Sequence, residues 1–328
     1  MSVNSVGIIG MGKYVPERIL SNHDLEQMVE TNDEWIVTRT GIRERRIAAP
    51  EQATSDLAYE ASVRALEAAG LTAQDIDLII VATITPDMFF PSTACVLQER
   101  LGAKRAAAFD LSAACSGFIY SLATASSMIA TGMYKHALVV GADTLSRITD
   151  YTDRNTCILF GDGAGAAVLG PVPEHRGFKS FELGADGSGG PLLNIAGGGS
   201  RMPSTADTVD SKAHYIYMAG NEVFKFAVRI MGSAAEDALR KAGKSKEDID
   251  LLVPHQANIR IIQSALNRLE LNEDKCMINV DKYGNMSAAS VPVALAEAVE
   301  QNRIKEGDCL VLVGFGGGLT WGSTVLIW

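Results

Sequence analysis

Two separated stretches of this chain return at one spacing. Ala65-Leu66 through Asp75-Ile76-Asp77-Leu78 reappears as Ala238-Leu239 through Asp248-Ile249-Asp250-Leu251, and Val139-Val140-Gly141 reappears as Leu312-Val313-Gly314. Asp75 and Asp248 are 173 positions apart, as are Gly141 and Gly314. That spacing is far too long for a solenoid repeat, and two matches at one offset point to duplication of a whole unit. In 328 residues this allows two halves, 1–172 and 173–328, with the proline-containing and charged stretch 171–177 the most linker-like between them. Two such halves about a pseudo-twofold place equivalent strand ends at a shared cleft, where α/β proteins bind ligands.

The repeated unit reads as α/β. Residues 54–70 have helical apolar spacing and end at a glycine, and the buried strand 78–83 follows. Further strands are expected at 6–14, 137–141 and 166–170, and a helix at 21–30 capped by Ser21 or Asn22. A composition 47% hydrophobic and 21% charged is that of a globular protein and leaves no case for disorder. With 29 basic against 39 acidic residues, a net charge of −10 argues against general attraction to nucleic acid or an anionic membrane. The five cysteines (Cys95, Cys115, Cys157, Cys276 and Cys309) are scattered and never form C-x-x-C, which argues against a disulfide framework or a zinc site. The first twelve residues show no basic region before a long apolar core, and no apolar run approaches membrane-spanning length. A cytoplasmic protein with reduced thiols is expected.

Cys115 stands at the centre of FDLSAACSGFIY, residues 109–120, where a strand-like run gives way to helical spacing. A thiol there faces the unpaired amides of a helix N-terminus, which stabilise thiolate over thiol; a fall of about two units from roughly 8.5 would make thiolate the majority at neutral pH. A cysteine among alanines is as readily a small buried filler, and the stretch alone leaves both readings open. The duplication supplies more. Projected by the offset, Cys115 falls at Ala288 within 283–290, YGNMSAAS, which puts Asn285 in the counterpart of the nucleophile region. The end of strand 78–83 projects onto Val253-Pro254-His255-Gln256-Ala257-Asn258, which puts His255 at a strand's carboxyl end. All three residues are therefore expected at strand-to-helix junctions in the cleft.

Other stretches carry less by themselves. The glycine run 314–318, GFGGG, suits an oxyanion hole as well as a tight turn. Segment 31–46 concentrates a tryptophan and four arginines; Trp35 and Arg39 share a helix face, giving either a stacking surface beside a phosphate-seeking guanidinium or a solvated helix. Loop 86–92, PDMFFPS, holds two phenylalanines that must pack on their own core or on another subunit. Lys244-Ser245 imitates a P-loop ending, but Ala238 stands where that motif needs glycine; residues 7–12 lack the G-x-G-x-x-G spacing, and H-E-x-x-H is absent.

Together AACSGF around Cys115, HQAN from His255, GNMSAAS from Gly284, GFGGGLTWGS from Gly314 and TNDEWIVTRTGIRER from Thr31 closely resemble the β-ketoacyl-[acyl carrier protein] synthase III family, which initiates type II fatty-acid synthesis. The resemblance covers essentially the whole chain. It implies a thiolase-like, five-layered αβαβα sandwich and a homodimer. It also implies a decarboxylative Claisen condensation of a short-chain acyl-CoA with malonyl-ACP (acyl carrier protein), releasing 3-oxoacyl-ACP, CoA and CO2. Cys115 would carry the acyl group, the amides of Cys115 and Gly317 would form the oxyanion hole, and His255 and Asn285 would stabilise the enolate. Coenzyme A would meet Trp35 and Arg154 at the adenine, Arg39 near phosphate, and Asn221 and Asn258 along the pantetheine arm. Lys225, Arg260 and Arg268 would face the carrier protein, and Phe90 would close the partner's acyl pocket across the dimer. No metal and no cofactor beyond the two substrates is implied. The alternatives are a related acyltransferase with another acceptor, such as a polyketide starter or alkylquinolone-type synthase, a noncatalytic acyl-CoA-binding scaffold and, more remotely, a nicotinamide oxidoreductase.

Overall fold

The structure, a computed structural model, describes residues 5–328; residues 1–4, the start of the segment read for a leader, lie outside the described residues. Nine strands build two sheets: β1 (Val6–Tyr14), β2 (Leu78–Ala82), β3 (Ala107–Leu111), β4 (Ala137–Thr144) and β5 (Asp162–Pro171), then β6 (Gly177–Ala185), β7 (Leu251–Pro254), β8 (Cys309–Gly316) and β9 (Thr320–Ile327). Seven helices matter for the site: α1 (Asp33–Thr40), α2 (Thr54–Ala69), α3 (Thr93–Leu101), α4 (Gly117–Ala130), α5 (Gly220–Lys241), α6 (Ile259–Leu269) and α7 (Ser290–Glu300).

The two sheets repeat one strand order. The first runs β1-β5-β4-β2-β3 and the second β6-β9-β8-β7, with β2 parallel to β4 as β7 is to β8. Among the described residues only the first carries a fifth, edge strand, β3; the second has a single bridge between Leu252 and Cys276 in the corresponding place.

Burial pattern explains the layers. Along β2, Ile79 and Val81 join the core beneath α2 and α3, whereas Leu78 and Ile80 join the core around α4 and α7, so both faces of the strand are covered. Helix α2 buries positions 54, 55, 57, 58, 61, 62, 65 and 66, one stripe at helical spacing, and stops at Gly70 in a left-handed cap (φ +64°). Helices α4 and α7 are buried on nearly all sides because a sheet lies against each face, which is why they are built from alanine, serine and aliphatic residues. Helices α5 and α6 cover the far side of the second sheet. The order across the molecule is α2/α3, sheet, α4/α7, sheet, α5/α6, the αβαβα sandwich expected.

Two local expectations change. The helix at 21–30 is a single turn, Asn22–Glu26, held by a Ser21–Asp24 capping box. Asn285 does not follow a strand: it lies between the short helix Val280–Tyr283 and a tight turn at Ser287–Ala289. Gly284, at φ +63°, ends that helix where a Cβ would stand 2.7 Å from the Leu159 carbonyl, and the chain then pairs Asn285 with Phe160.

Candidate active site

Cys115 lies in a tight turn, Ala114–Ser116, between β3 and the start of α4. Ala114 before it has φ +47°, and the Ser116 and Thr320 hydroxyls both reach the Ala113 carbonyl, at 2.8 and 3.1 Å. The end of β8 presses on the same turn, since a Cβ on Gly316 would come 2.5 Å from the Cys115 amide nitrogen. Gly314, one turn of strand earlier, lies between the Cys115 carbonyl and the His255 Cβ.

His255 follows β7 directly and is buried, its amide donating to the Val313 carbonyl at 2.7 Å. Its Nδ1 meets the Ser290 Oγ at 2.5 Å, and the Phe315 ring stands edge-on to the imidazole at 5.4 Å between centroids. Asn285 is fixed through its carbonyl oxygen: Oδ1 accepts the Ser287 amide at 2.9 Å, which leaves Nδ2 free to donate. Its backbone is tied across the first half, donating to Leu159 O at 2.8 Å and accepting from Gly161 N at 3.0 Å.

Burial sets both protonation states. It pushes the His255 imidazole down to about 3, so the ring is neutral at working pH. It pushes the Cys115 thiol up to about 12, with Ser287 the chief opposing influence. The expected majority of thiolate is therefore corrected: the helix N-terminus is present, but desolvation outweighs it and the resting group is the thiol.

Cys115 opens onto a cavity of about 450 Å³. Ser112, Ala113, Ala114, Ser287, Gly317, Gly318 and Thr320 line it beside the sulfur, and Ile84, Leu145, Phe160, Leu193, Ile195 and Ile216 supply apolar side chains. Gly317 thus shares a wall with the nucleophile.

A second cluster lies on α1. The Arg39 and Arg154 guanidinium groups stack on the Trp35 ring at 4.6 and 4.5 Å, and the Asn258 side chain, which caps α6, donates to the Arg39 carbonyl at 2.9 Å. Asn221 is exposed in the first turn of α5 and makes no hydrogen bond with this cluster. Arg260 stacks over Phe224 at 5.0 Å, and Lys225, on α5, is exposed beside Glu222. Arg268 lies about 12 Å further along α6 by helical rise. It is engaged with Glu236 (2.6 Å) and the Arg229 carbonyl, so of the three expected basic contacts it is the one already paired closely. Phe89 and Phe90 are each 85% exposed at the tip of their loop.

The family described as 3-oxoacyl-[acyl-carrier-protein] synthase III matches residues 109–187, and its C-terminal part matches residues 239–328. A β-ketoacyl-[acyl-carrier-protein] synthase III from Desulfitobacterium hafniense is 61% identical over 99% of this chain and 98% of its own length. The chain belongs to the synthase III family. The structure of the synthase III from Thermus thermophilus matches at a TM-score of 0.92 and 51% identity, over 98% of this chain and 99% of that one. The priming β-ketosynthase of the R1128 polyketide pathway also matches at 0.92, but with 37% identity over 99% and 97%. This synthase III chain therefore has the thiolase-like fold and is an acyltransferase, a condensing enzyme that initiates fatty-acid synthesis.

The sequence reading missed three residues of the site: Asp143, Ser287 and Ser290. Asp143 was legible as a lone acid in the apolar run ALVVGADT, and Ser287 as the counterpart of Ala114 at the repeat offset, sharing its φ of +47°.

Proposed function

We propose that this synthase III condenses an acyl-CoA primer with malonyl-ACP through an acyl-Cys115 intermediate. The observation that supports the reading is that Cys115 opens onto an apolar cavity while Gly314 of β8 stands between the Cys115 carbonyl and the His255 Cβ, and Asn285 is held by Phe160 and Ser287, which line the same cavity. Cys115 attacks the primer thioester, the Cys115 and Gly317 amides receive the developing oxyanion, and coenzyme A leaves. Trp35, Arg39 and Arg154 hold the nucleotide end of coenzyme A, displacing one stacked guanidinium by adenine, and Asn258 and Asn221 flank the pantetheine. Lys225, Arg260 and Arg268 receive the acidic carrier protein on an otherwise acidic enzyme.

His255 and Asn285 then hold the malonyl thioester oxygen. Ser290 Oγ receives the Gln256 amide at 3.4 Å and donates its own proton to His255 Nδ1 in this mechanism, with the imidazole's proton on Nε2. Two neutral donors stabilise the enolate formed on loss of CO2 without supplying an acid that quenches it. The carbanion attacks acyl-Cys115 and releases 3-oxoacyl-ACP.

The chemistry needs no metal or further cofactor, and its compartment is the cytoplasm. The two halves, 1–172 and 173–328, act as one catalytic unit. The exposed Phe89-Phe90 tip and the unpaired edge of β3 support a homodimer in which Phe90 closes the partner's pocket.

The test is product formation from purified enzyme, an acyl-CoA panel and malonyl-ACP. Formation of 3-oxoacyl-ACP with stoichiometric CoA and CO2 supports the reading; turnover only with another acceptor supports a polyketide-priming role, the second reading that the likeness to the R1128 enzyme favours.

A further inference from the structure

The acylation step leaves one proton without a home. Cys115 is a buried thiol, and His255, neutral, buried and engaged at Nδ1, is a poor base. Asp143 lies behind the nucleophile on β4 and is fully buried. Its Oδ1 accepts four neutral donors, the Thr83 and Thr85 hydroxyls (both 2.9 Å) and the Ile84 and Thr85 amides (2.9 and 3.2 Å). Its Oδ2 accepts the Ala288 amide at 3.1 Å, and no cation pairs with it among the described residues. The Ser287 hydroxyl lies beside both Asp143 and Cys115, lines the acyl cavity, and makes no hydrogen bond of good geometry in the resting chain. A buried carboxylate lacking a cation holds its proton more tightly than an exposed one, and the Asp143 carboxyl is accordingly raised by burial.

We propose that Ser287 carries the Cys115 proton to Asp143 as the sulfur attacks the primer, so that the three residues form the acid–base line of acylation. The inference rests on Cys115 being the nucleophile. As the S–C bond forms, the thiol proton passes to Ser287 Oγ, the Ser287 proton passes to Asp143 Oδ2, and the carbonyl electron pair moves to the oxyanion. On collapse the S–C bond to coenzyme A breaks, and the proton returns from Asp143 through Ser287 to the departing sulfur. Acylation then neither takes up nor releases a proton. The backbone at Ser287 is left-handed, and Ala114 shows that alanine is tolerated in the same conformation at the equivalent place. Asp143 touches no reacting atom and acts through Ser287.

The test measures acyl-Cys115 formation by intact mass in single turnovers with acetyl-CoA and isobutyryl-CoA from pH 6 to 10. Native enzyme, Ser287→Ala and Asp143→Asn are compared, with iodoacetamide alkylation of Cys115 as a reading of thiolate that needs no primer. The titratable groups of the line are Cys115 and Asp143, and His255 stands across Gly314 from the Cys115 carbonyl. The expected result is a loss of about a hundredfold in both rates at pH 7 for Ser287→Ala. The loss narrows by about tenfold per pH unit, because hydroxide then removes the proton; Asp143→Asn, where it folds, behaves alike. An unchanged acylation rate, or a loss equal at every pH, overturns the relay. Failure of the native enzyme to acylate would instead remove Cys115 from its role.

Discussion

In the proposed mechanism His255 and Asn285 serve the second half-reaction only, so the two half-reactions should separate by substitution. His255→Ala or Asn285→Ala is expected to accumulate acyl-Cys115 from acyl-CoA while overall turnover falls about 10²- to 10³-fold, read by quenched-flow mass analysis. Loss of the adduct itself in these variants would contradict the division of labour. The same burial has a signature in stability. His255 has a folded pKa depressed to about 3 against about 6.5 unfolded, so between these values the unfolded chain binds more protons. Its contribution is present above pH 6.5 and is lost as pH falls toward 3. His255→Gln is expected to flatten the fall in denaturation midpoint over that window, measured by urea titration at successive pH values.

At the level of elements, the Trp35 cluster and the turn that holds Asn285 share one support. Arg45, in the strand Glu44–Ile47, is fully buried and has no carboxylate partner among the described residues; it donates to Leu20 O (3.0 Å), Asn22 Oδ1 (2.9 Å) and Ile158 O (2.7 Å), and burial pushes its guanidinium down to about 10. Asn22 in turn reaches Asp33 at the start of α1, and the 158–161 backbone carries Asn285. Arg45→Met removes the buried donor from Leu20 O, Asn22 Oδ1 and Ile158 O and is expected to cost on the order of 3 kcal/mol, seen as a lowered urea midpoint. Sequence reading found α2 from its 3.6-residue apolar period, which ends at Gly70, and β2 from its unbroken apolar run, both of them local signals. It missed that Asn285 pairs with Phe160, since that contact joins residues far apart in the chain and leaves no local pattern. The same blindness gave Cys115 a lowered pKa: helix polarity is local, whereas desolvation depends on what two sheets and the β8 end place around the sulfur.

At the scale of the molecule, the offset that repeats β2, β4 and the turns at Ala114 and Ser287 made the two-sheet architecture legible, and the cleft followed from it. What the offset did not show is where the halves differ: the second lacks the edge strand that β3 adds to the first. That unpaired edge and the exposed Phe90 loop lie in the same half, and Phe90→Asp is expected to weaken self-association and reduce turnover together, read by sedimentation and by product formation. Arg260→Glu is expected to raise KM for malonyl-ACP several-fold and leave KM for acyl-CoA unchanged, because rim charges steer a protein partner. The central claim is that one sulfur links two substrates, and intact-protein mass spectrometry tests it most directly. Incubation with acyl-CoA is predicted to add one acyl mass to the native chain and none to Cys115→Ala, and malonyl-ACP is predicted to remove that mass as 3-oxoacyl-ACP forms. An adduct that survives Cys115→Ala, or one that malonyl-ACP never discharges, would contradict the account.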